Sequence, residues 1–581
     1  MTSPVIEAGD DLPLTVPALL AAQVAARPDQ VLLAVDDASL TYAESDRRSA
    51  ELARALLAAG AGPGTRVALL FPNTPEFVVG WLAAARIGAV SVPLSTFSTS
   101  AELAGLLRGA DVAILLAAAG YRSHDYPTTV RSGIRELDLG APPPLLAPTV
   151  PSLRRIAFAL DPADAAAAGI DPAWTLAGLR GGASAIDDDA LAAAEAAVTP
   201  ADRMVIVHTS GSTSEPKGVI HTHGALIRHL DNLNQLRRYE SHEILFSNSP
   251  FFWIGGFAYA LLGTVVAGAT LVCSNAPSAG GVLDVLERER PTMVNGFAAS
   301  VAHVADDPTF PDRDLSSIRR GNLWPIMPAA LRPADVELRH TMLGMTETGS
   351  VCLAGPPDEE DLVLPEHQRG SFGRPVPGFE TRIRRAEDGG ECAPGEVGEL
   401  CLRGPFLMDG YDGRERHDTF DADGWYRTGD LATVDADGLF YFRGRGSDMI
   451  KTAGANVSPR EVEAAILEVS GLVAHVVGVD DAARGQIVAA LVRAPASDRD
   501  RDRGGDSDGD DDRDRDRGGD SDSGDDSAAA VDTDELRERL RRRLSAYKVP
   551  RRIRVVAPDD VPIMSSGKLD LRALKELLGD D

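Results

Sequence analysis

Between residues 40 and 120 the chain alternates between two hydrophobic periods, and that alternation narrows the possible folds more than any other feature. The stretch "YAESDRRSAELARALLAAG" spaces its apolar residues as a helix does and stops on Gly60. "TRVALLF" follows as a short β-rich run, then the helical "PEFVVGWLAAARIGA", then "VSVPL". Strand, helix and strand in that order predict β-α-β units and a largely parallel sheet. Residues 260–300 repeat the scheme with "ATLVCS", "VLDVLERE" and "TMVNGF". At 581 residues the chain exceeds one small core, so several subdomains are expected in an α/β architecture. Residues 120–200, rich in Ala and Pro, read as a surface excursion.

Charge and targeting signals exclude several classes. The formal net charge of −29 argues against a nucleic-acid partner or an anionic membrane surface. Part of it is local, since residues 498–526 hold fourteen Asp against six Arg, a net of −8. There "DRDRDRGGDSDGDD" from Asp498 is followed by "DRDRDRGGDSDSGDD" from Asp512, a near-perfect repeat with no apolar residue. A disordered, solvated insertion at 497–530 is the expectation. A calcium loop starting at Asp506 fails because its twelfth position is Arg517, where a glutamate is required. The N-terminal residues show no basic start and no apolar core of a secretory signal. The longest apolar run, 258–273, is interrupted by Gly263 and Gly268 and reads as a buried helix–strand segment, so no stable membrane insertion is expected. Cys273, Cys352, Cys392 and Cys401 lack metal or disulfide spacing and read as reduced thiols of a cytoplasmic protein. His221 and His223, at a strand-to-helix entry, read as structural rather than as a metal pair.

The segment "HTSGSTSEPKG", 208–218, looks built for phosphate. A Walker loop needs Gly-x-x-x-x-Gly-Lys-Ser/Thr. Here Pro216 precedes Lys217 and Gly218 follows it, so no hydroxyl stands where that loop places its magnesium ligand. The hydroxyls of Thr209, Ser210, Ser212 and Thr213, with backbone N–H groups freed by Gly211, suit a diphosphate in another way, and Lys217 adds positive charge.

Seven separated stretches then line up in order: "HTSGSTSEPKGV" (208–219), "LGMTE" (343–347), "GELCLRGPFLMDGY" (398–411), "WYRTGD" (425–430), "GRGSDMIKTAGANVSPREVE" (444–463), "LSAYKVP" (544–550) and "PIMSSGKLDLR" (562–572). Together they resemble the adenylate-forming (AMP-binding) superfamily of acyl-CoA synthetases, adenylation domains and luciferases, over about residues 15 to 575. The resemblance implies a large N-terminal AMP-binding domain, 1–444, with parallel-rich sheets, and a small mobile α+β C-terminal domain, 447–581, that rotates between half-reactions. It implies that the 209–213 loop and Lys217 hold the leaving pyrophosphate, and that Leu343, Gly344 and Met345 run beside the adenine. Thr346 would then donate to the α-phosphate and Glu347 would hold Mg²⁺. Asp430, read as lying in a turn, would accept from both ribose hydroxyls, with Arg445 sharing that ribose. Lys568 would neutralise charge growing on the α-phosphorus. Lys451, with Gly454 after it, would serve thioester formation.

Some positions depart from the family pattern. Leu343 replaces the usual aromatic, and Ser214 replaces a loop glycine. Trp253 stands where histidine is common, with Gly255 after it. Trp324 and Pro325, in "NLWPIMP", are bulky where the acyl pocket is normally lined by small residues. The implied reaction is carboxylic acid + ATP + CoA → acyl-CoA + AMP + pyrophosphate, the acid being a medium- or long-chain fatty acid or a relative. A ligase loading an acyl carrier protein, a degenerate nucleotide-binding protein and a luciferase-like oxygenase are the alternatives.

Overall fold

The computed structural model describes residues 12–209, 217–296, 298–355, 363–385, 387–445, 450–452, 455–457, 459–481, 484–494, 531–544, 546, 548–564 and 569–579. The chain forms two compact units, one of residues 1–428 and 432–442, the other of 429–431 and 443–581.

Two large sheets organise the first unit. One has seven strands in the spatial order Gly410–Tyr411, Lys217–Thr222, Arg203–Thr209, Val90–Pro93, Arg66–Leu70, Ile114–Ala118, Arg155–Ala159. From Arg203–Thr209 to Arg155–Ala159 neighbours run parallel, as the β-α-β pattern demands. The other has six, in the order Arg320–Gly321, Met293–Asn295, Ile244–Ser247, Thr270–Cys273, Val31–Val35, Ala38–Thr41, and only the last is antiparallel. The layer between the sheets is filled by helices Tyr42–Ala58 and Pro75–Arg86 and by the wide-turned π-helical segment Gly255–Leu262. Every residue of Pro75–Arg86 except Glu76 is buried. Gly80 permits this closeness, since a Cβ there would lie 2.9 Å from Leu69. A helix apolar on all sides belongs inside such a layer.

The expected helices and strands of 40–120 form at Tyr42–Ala58, Arg66–Leu70, Pro75–Arg86 and Val90–Pro93. Residues 258–273 become the end of the π-helical segment, helix Gly263–Ala267 and strand Thr270–Cys273. Residues 120–200 differ from expectation. They are not a surface excursion but the outer layer of the seven-stranded sheet. Strand Arg155–Ala159 pairs in parallel with Ile114–Ala118, and Tyr126, Val130, Leu153, Phe158 and Trp174 are buried in one apolar cluster. Short apolar anchors spaced by Ala and Pro give little periodicity, yet together they cover the sheet face.

Two smaller sheets follow in the chain. Leu343–Met345, Ser350–Ala354 and Arg374–Pro375 form one. Glu380–Arg384, Gly398–Arg403, Tyr426–Val434 and Phe440–Arg445 form the other, whose last two strands include residues assigned to each unit. The second unit has its own sheet, with Ala455–Val457, Ile450–Thr452, Gly485–Arg493 and Ala474–Asp481 in order and Arg552–Val556 parallel to Gly485–Arg493. Helices Pro459–Ser470, Thr533–Arg541 and Leu571–Gly579 cover it, burying Val462, Ile466, Leu536, Leu540, Leu574 and Leu578. Among the described residues no helix is long and apolar enough to cross a membrane.

Candidate active site

The two strands that flank the candidate phosphate-binding segment are hydrogen-bonded to each other. Arg203–Thr209 and Lys217–Thr222 pair antiparallel, and their last register pair is Thr209 opposite Lys217. Ser210, Gly211, Ser212 and Thr213, which fall within 210–216, lie outside the described residues. One residue further along, Gly218 faces His208, and a Cβ on Gly218 would meet Ile206 at 2.8 Å and Asp412 at 3.2 Å. Asp412 is held by a bidentate Arg66, at 2.7 and 3.1 Å, and its N–H donates to the Gly218 carbonyl at 2.8 Å. The hairpin base is thus pinned to the sheet from both sides.

That pinning sets the next strand. Gly410–Tyr411 pairs with Ile220 and Val219, so Tyr411 stands beside the hairpin arm. The Lys217 ammonium lies over the Tyr411 ring, 5.2 Å from its centre. The Tyr411 hydroxyl donates to Glu347 Oε1 at 2.7 Å and meets the Tyr426 hydroxyl at 3.0 Å. Burial and the nearby Glu347 charge push both phenols well above their usual value, so both remain protonated donors. Glu347 itself is only half-buried, leaving its carboxylate within reach of solvent and solutes.

The turn bearing Glu347 is braced from behind. Leu343–Met345 pairs with Ser350–Ala354, and Gly344 is pressed so close that a Cβ would lie 2.5 Å from the Ser350 carbonyl oxygen. Thr348, fully buried, donates to the Ser350 carbonyl at 2.6 Å and accepts from the Met345 N–H at 3.2 Å. Gly349 closes the turn at φ +69°, where a side chain would strike Leu226. His221 Nε2 lies 2.7 Å from the Thr346 carbonyl. Burial drives the His221 pKa down to about 4, so the ring is neutral and Nε2 carries the donated proton. His223 Nδ1 accepts from the Val16 N–H at 3.2 Å, and no cluster of three His, Cys, Asp or Glu able to hold a metal occurs among the described residues. Both rings are thus engaged by backbone groups of the fold. All four cysteines are buried thiols outside any disulfide.

The structure therefore gathers Thr209, Lys217, Thr346 and Glu347 of the expected set. Sequence reasoning missed Tyr411 and Tyr426 as partners of Glu347, and Arg66, Asp412, Thr348 and His221 as its supports. Tyr411 and Tyr426 stood in two of the quoted motifs, and only their meeting was hidden.

Asp430 is not in a turn. It is buried within strand Tyr426–Val434, directly after Gly429 at φ +75°. The Thr-Gly pair that suggested a turn instead lies within a strand. Arg445 ends strand Phe440–Arg445 and Lys451 lies in strand Ile450–Thr452. Gly454, Lys568 and the whole 497–530 insertion fall outside the described residues, as do the side chains of Arg445 and Lys451. Trp253 stacks edge-on against Phe252, with centroids 5.4 Å apart, just ahead of Gly255 and its π-helical segment. Trp324 and Pro325 open a short turn, and Trp324 packs with the cluster of Ile326 and Met327 on the outer face of the six-stranded sheet.

Residues 20–412 match the family of AMP-binding enzymes. The chain belongs to that family. A feruloyl-CoA synthase of an Amycolatopsis species is 32% identical over 542 residues, covering 91% of this chain and 92% of the relative. The 3-[(3aS,4S,7aS)-7a-methyl-1,5-dioxo-octahydro-1H-inden-4-yl]propanoyl:CoA ligase of Mycobacterium tuberculosis is 30% identical over 576 residues, covering 97% and 99%. Among solved structures, the anthranilate CoA ligase AuaEII in complex with anthranoyl-AMP has a TM-score of 0.72 at 21% identity, covering 99% of both chains. The fold, a large N-terminal α/β domain and a smaller C-terminal one, is that of AMP-binding enzymes. The protein is an AMP-forming acid–thiol ligase that activates a carboxylic acid through an adenylate. ATP and CoA are the co-substrates of CoA ligases in this family. The family match ends at Asp412, the residue that Arg66 clamps.

Proposed function

We propose that the enzyme couples a ring-bearing carboxylic acid to CoA, and that the convergence of Lys217, Tyr411 and Glu347 forms the phosphate end of its ATP site. A carboxylate resists thiolate attack because both are anionic and resonance blunts the carbonyl. Attack of the carboxylate oxygen on the α-phosphorus of ATP forms an acyl-adenylate and breaks the bond to pyrophosphate. The CoA thiol then attacks the acyl carbon, AMP departs with the bonding pair, and the thiol proton is lost to solvent.

Each residue has a task in this scheme. Lys217 and the hydroxyls of 209–213 offset the charge of the departing diphosphate. Thr346 donates to the α-phosphate. Glu347 suits a magnesium ion: it is a hard oxygen donor, half-exposed and kept in one position by the Tyr411 hydroxyl. When bound, the ion screens phosphate charge. Asp430 and Arg445 take the ribose. Lys568 serves adenylation, and Lys451 serves thioester formation.

The ring-bearing acid is supported by relatives that act on a feruloyl and on a bicyclic propanoyl group. A 3-hydroxybenzoate–CoA ligase of an Aromatoleum strain is 26% identical over 563 residues. A plain fatty acid draws less support, and nothing favours a carrier protein over CoA. The test is pyrophosphate release across aryl, alicyclic, medium- and long-chain acids, with the thioester identified by mass. We expect the highest kcat/KM for ring acids and transfer to CoA. Faster turnover of long unbranched acids would overturn the acid class, and no release with any acid would overturn the ligase reading. Lys568→Ala should cut adenylate formation by roughly 10²–10³. Lys451→Ala should spare adenylation and slow thioester formation; equal losses in both variants would refute the division of labour.

A further inference from the structure

The six-stranded sheet contains a topological switch. Strand Ile244–Ser247 leads to the helical segment Gly255–Ala267, whose Phe257, Leu261 and Val265 pack into the layer between the two large sheets. Its neighbour Met293–Asn295 leads the opposite way, to Val301 and Val304 on the outer face. Where adjacent parallel strands send their connections to opposite faces, a crevice opens at their carboxyl ends, and such crevices hold ligands in open α/β sheets. Ser247 and Asn295 are register partners at that point.

The polar groups there are arranged so that one is left over. Asn322 Oδ1 accepts the Gly296 N–H at 3.0 Å, and Asn322 Nδ2 donates to the Gly296 carbonyl at 2.9 Å. These two backbone bonds leave that carboxamide only one orientation. Gly296 is itself confined, at φ +154°, where a Cβ would lie 1.9 Å from Asn248 Oδ1. Asn295 Nδ2 is therefore the atom that turns to Asn322 Oδ1, at 3.4 Å, because two carboxamide oxygens would repel. Asn295 Oδ1 must face away. Asn295 is 7% exposed, and among the described residues its Oδ1 meets no hydrogen-bond donor. A buried acceptor without a donor is costly and is normally satisfied by something. Along Met293–Asn295 side chains alternate, so Asn295 shares the face of Met293, which packs into the inter-sheet layer.

The geometry points to Asn295 as a specificity residue that accepts a hydrogen bond from a hydroxyl or amino group on the acid, away from its carboxyl. The inference rests on the acid–CoA ligase reading above. It narrows the substrate class to ring acids bearing a donor. An apolar acid filling the same space would leave Oδ1 unpaired, and sites that bond a substrate OH or NH discriminate strongly against analogues lacking it.

The test is pyrophosphate exchange with matched acid pairs, each a hydroxylated or aminated aromatic acid and the same acid without that group, with wild type and Asn295→Val. We expect wild type to prefer at least one donor-bearing acid by about 10-fold or more in kcat/KM. Asn295→Val should lower turnover of that acid about 10-fold more than that of its partner. Equal kcat/KM for every pair in wild type would overturn the inference, pointing to a bound water as the donor, and would leave the ligase reading intact. Loss by the same factor on both acids in Asn295→Val would also overturn it, assigning Asn295 to packing. No exchange with any acid would instead overturn the ligase reading on which it stands. The wild-type comparison decides even if the variant does not fold.

Discussion

The two polar clusters of the first unit are built on different rules. Around Glu347 donors converge: Tyr411 bonds the carboxylate, Tyr426 backs Tyr411, and His221 and Thr348 tie down the turn beneath. Around Asn295 the bonds are used up between Asn322 and Gly296, and one acceptor remains. On the proposed reading, the first cluster suits a partner that never changes, since every acid is activated by the same ATP. The second would leave a contact to be completed by whichever acid enters. Rigidity at one end and an open valence at the other would let one scaffold keep its chemistry while its acid varies.

The sharpest way to break this contrast is Glu347→Gln. It keeps the shape and removes the charge, so adenylate formation should drop roughly 10²–10³, about 3–4 kcal/mol of transition-state stabilisation. A rate within threefold of wild type would remove Glu347 from the phosphate end. Gly296→Ala comes next and acts on stability: the new methyl would collide with Asn248 in a backbone region that disfavours side chains. A loss of about 1–3 kcal/mol is expected, read as a fall of several degrees in Tm. An unchanged Tm would mean that the carboxamide cluster is loose. Tyr411→Phe should lower kcat/KM for ATP about 10-fold through loss of a hydrogen bond to a charged group, with folding intact. If pyrophosphate exchange is unaffected, the clasp on Glu347 is ornamental.

The last comparison concerns acid stability rather than turnover. Burial lowers the pKa of His208, His221 and His223 to about 4 and that of His229 to about 3. The unfolded chain binds protons on these histidines below about pH 6.5, while the folded chain refuses them until about pH 4. Stability is therefore full above pH 6.5 and declines as pH falls toward 4, by up to roughly 1.4 kcal/mol per pH unit for each histidine. His229, stacked on Phe406 at 5.1 Å and met edge-on by Phe379, is the one to remove. His229→Leu should flatten the decline in Tm between pH 6.5 and 4. A slope equal to wild type would show that this ring titrates normally.

How much of this was legible in the sequence follows from the range over which each signal acts. The alternation in 40–120 is local, and the helices and strands formed where their periods placed them. The outer layer of 120–200 was misread because Tyr126, Phe158 and Trp174 are too far apart to show a period, and only the sheet makes them neighbours. Glu347 and Lys217 stood out through their motifs, but the hydroxyl of Tyr411, 64 residues away, has no sequence mark that names its partner. Asp430 was placed in a turn because Thr-Gly usually signals one, whereas pairing across the sheet kept it in a strand. Asn295 and Asn322 stood in the quoted stretches "TMVNGF" and "NLWPIMP" without being singled out. Their role depends on two strand ends meeting.

The short pairing of Gly410–Tyr411 with the hairpin arm has a practical corollary for anyone dissecting the enzyme. These two residues complete the edge of the seven-stranded sheet, and Arg66 reaches across 346 positions to fasten the next one. A shortened gene product stopping before Gly410 would bare the backbone of Lys217–Thr222 as an uncapped edge, inviting strand-to-strand clumping. A soluble fragment of the large domain should therefore begin its design from that clamp and keep everything upstream of it.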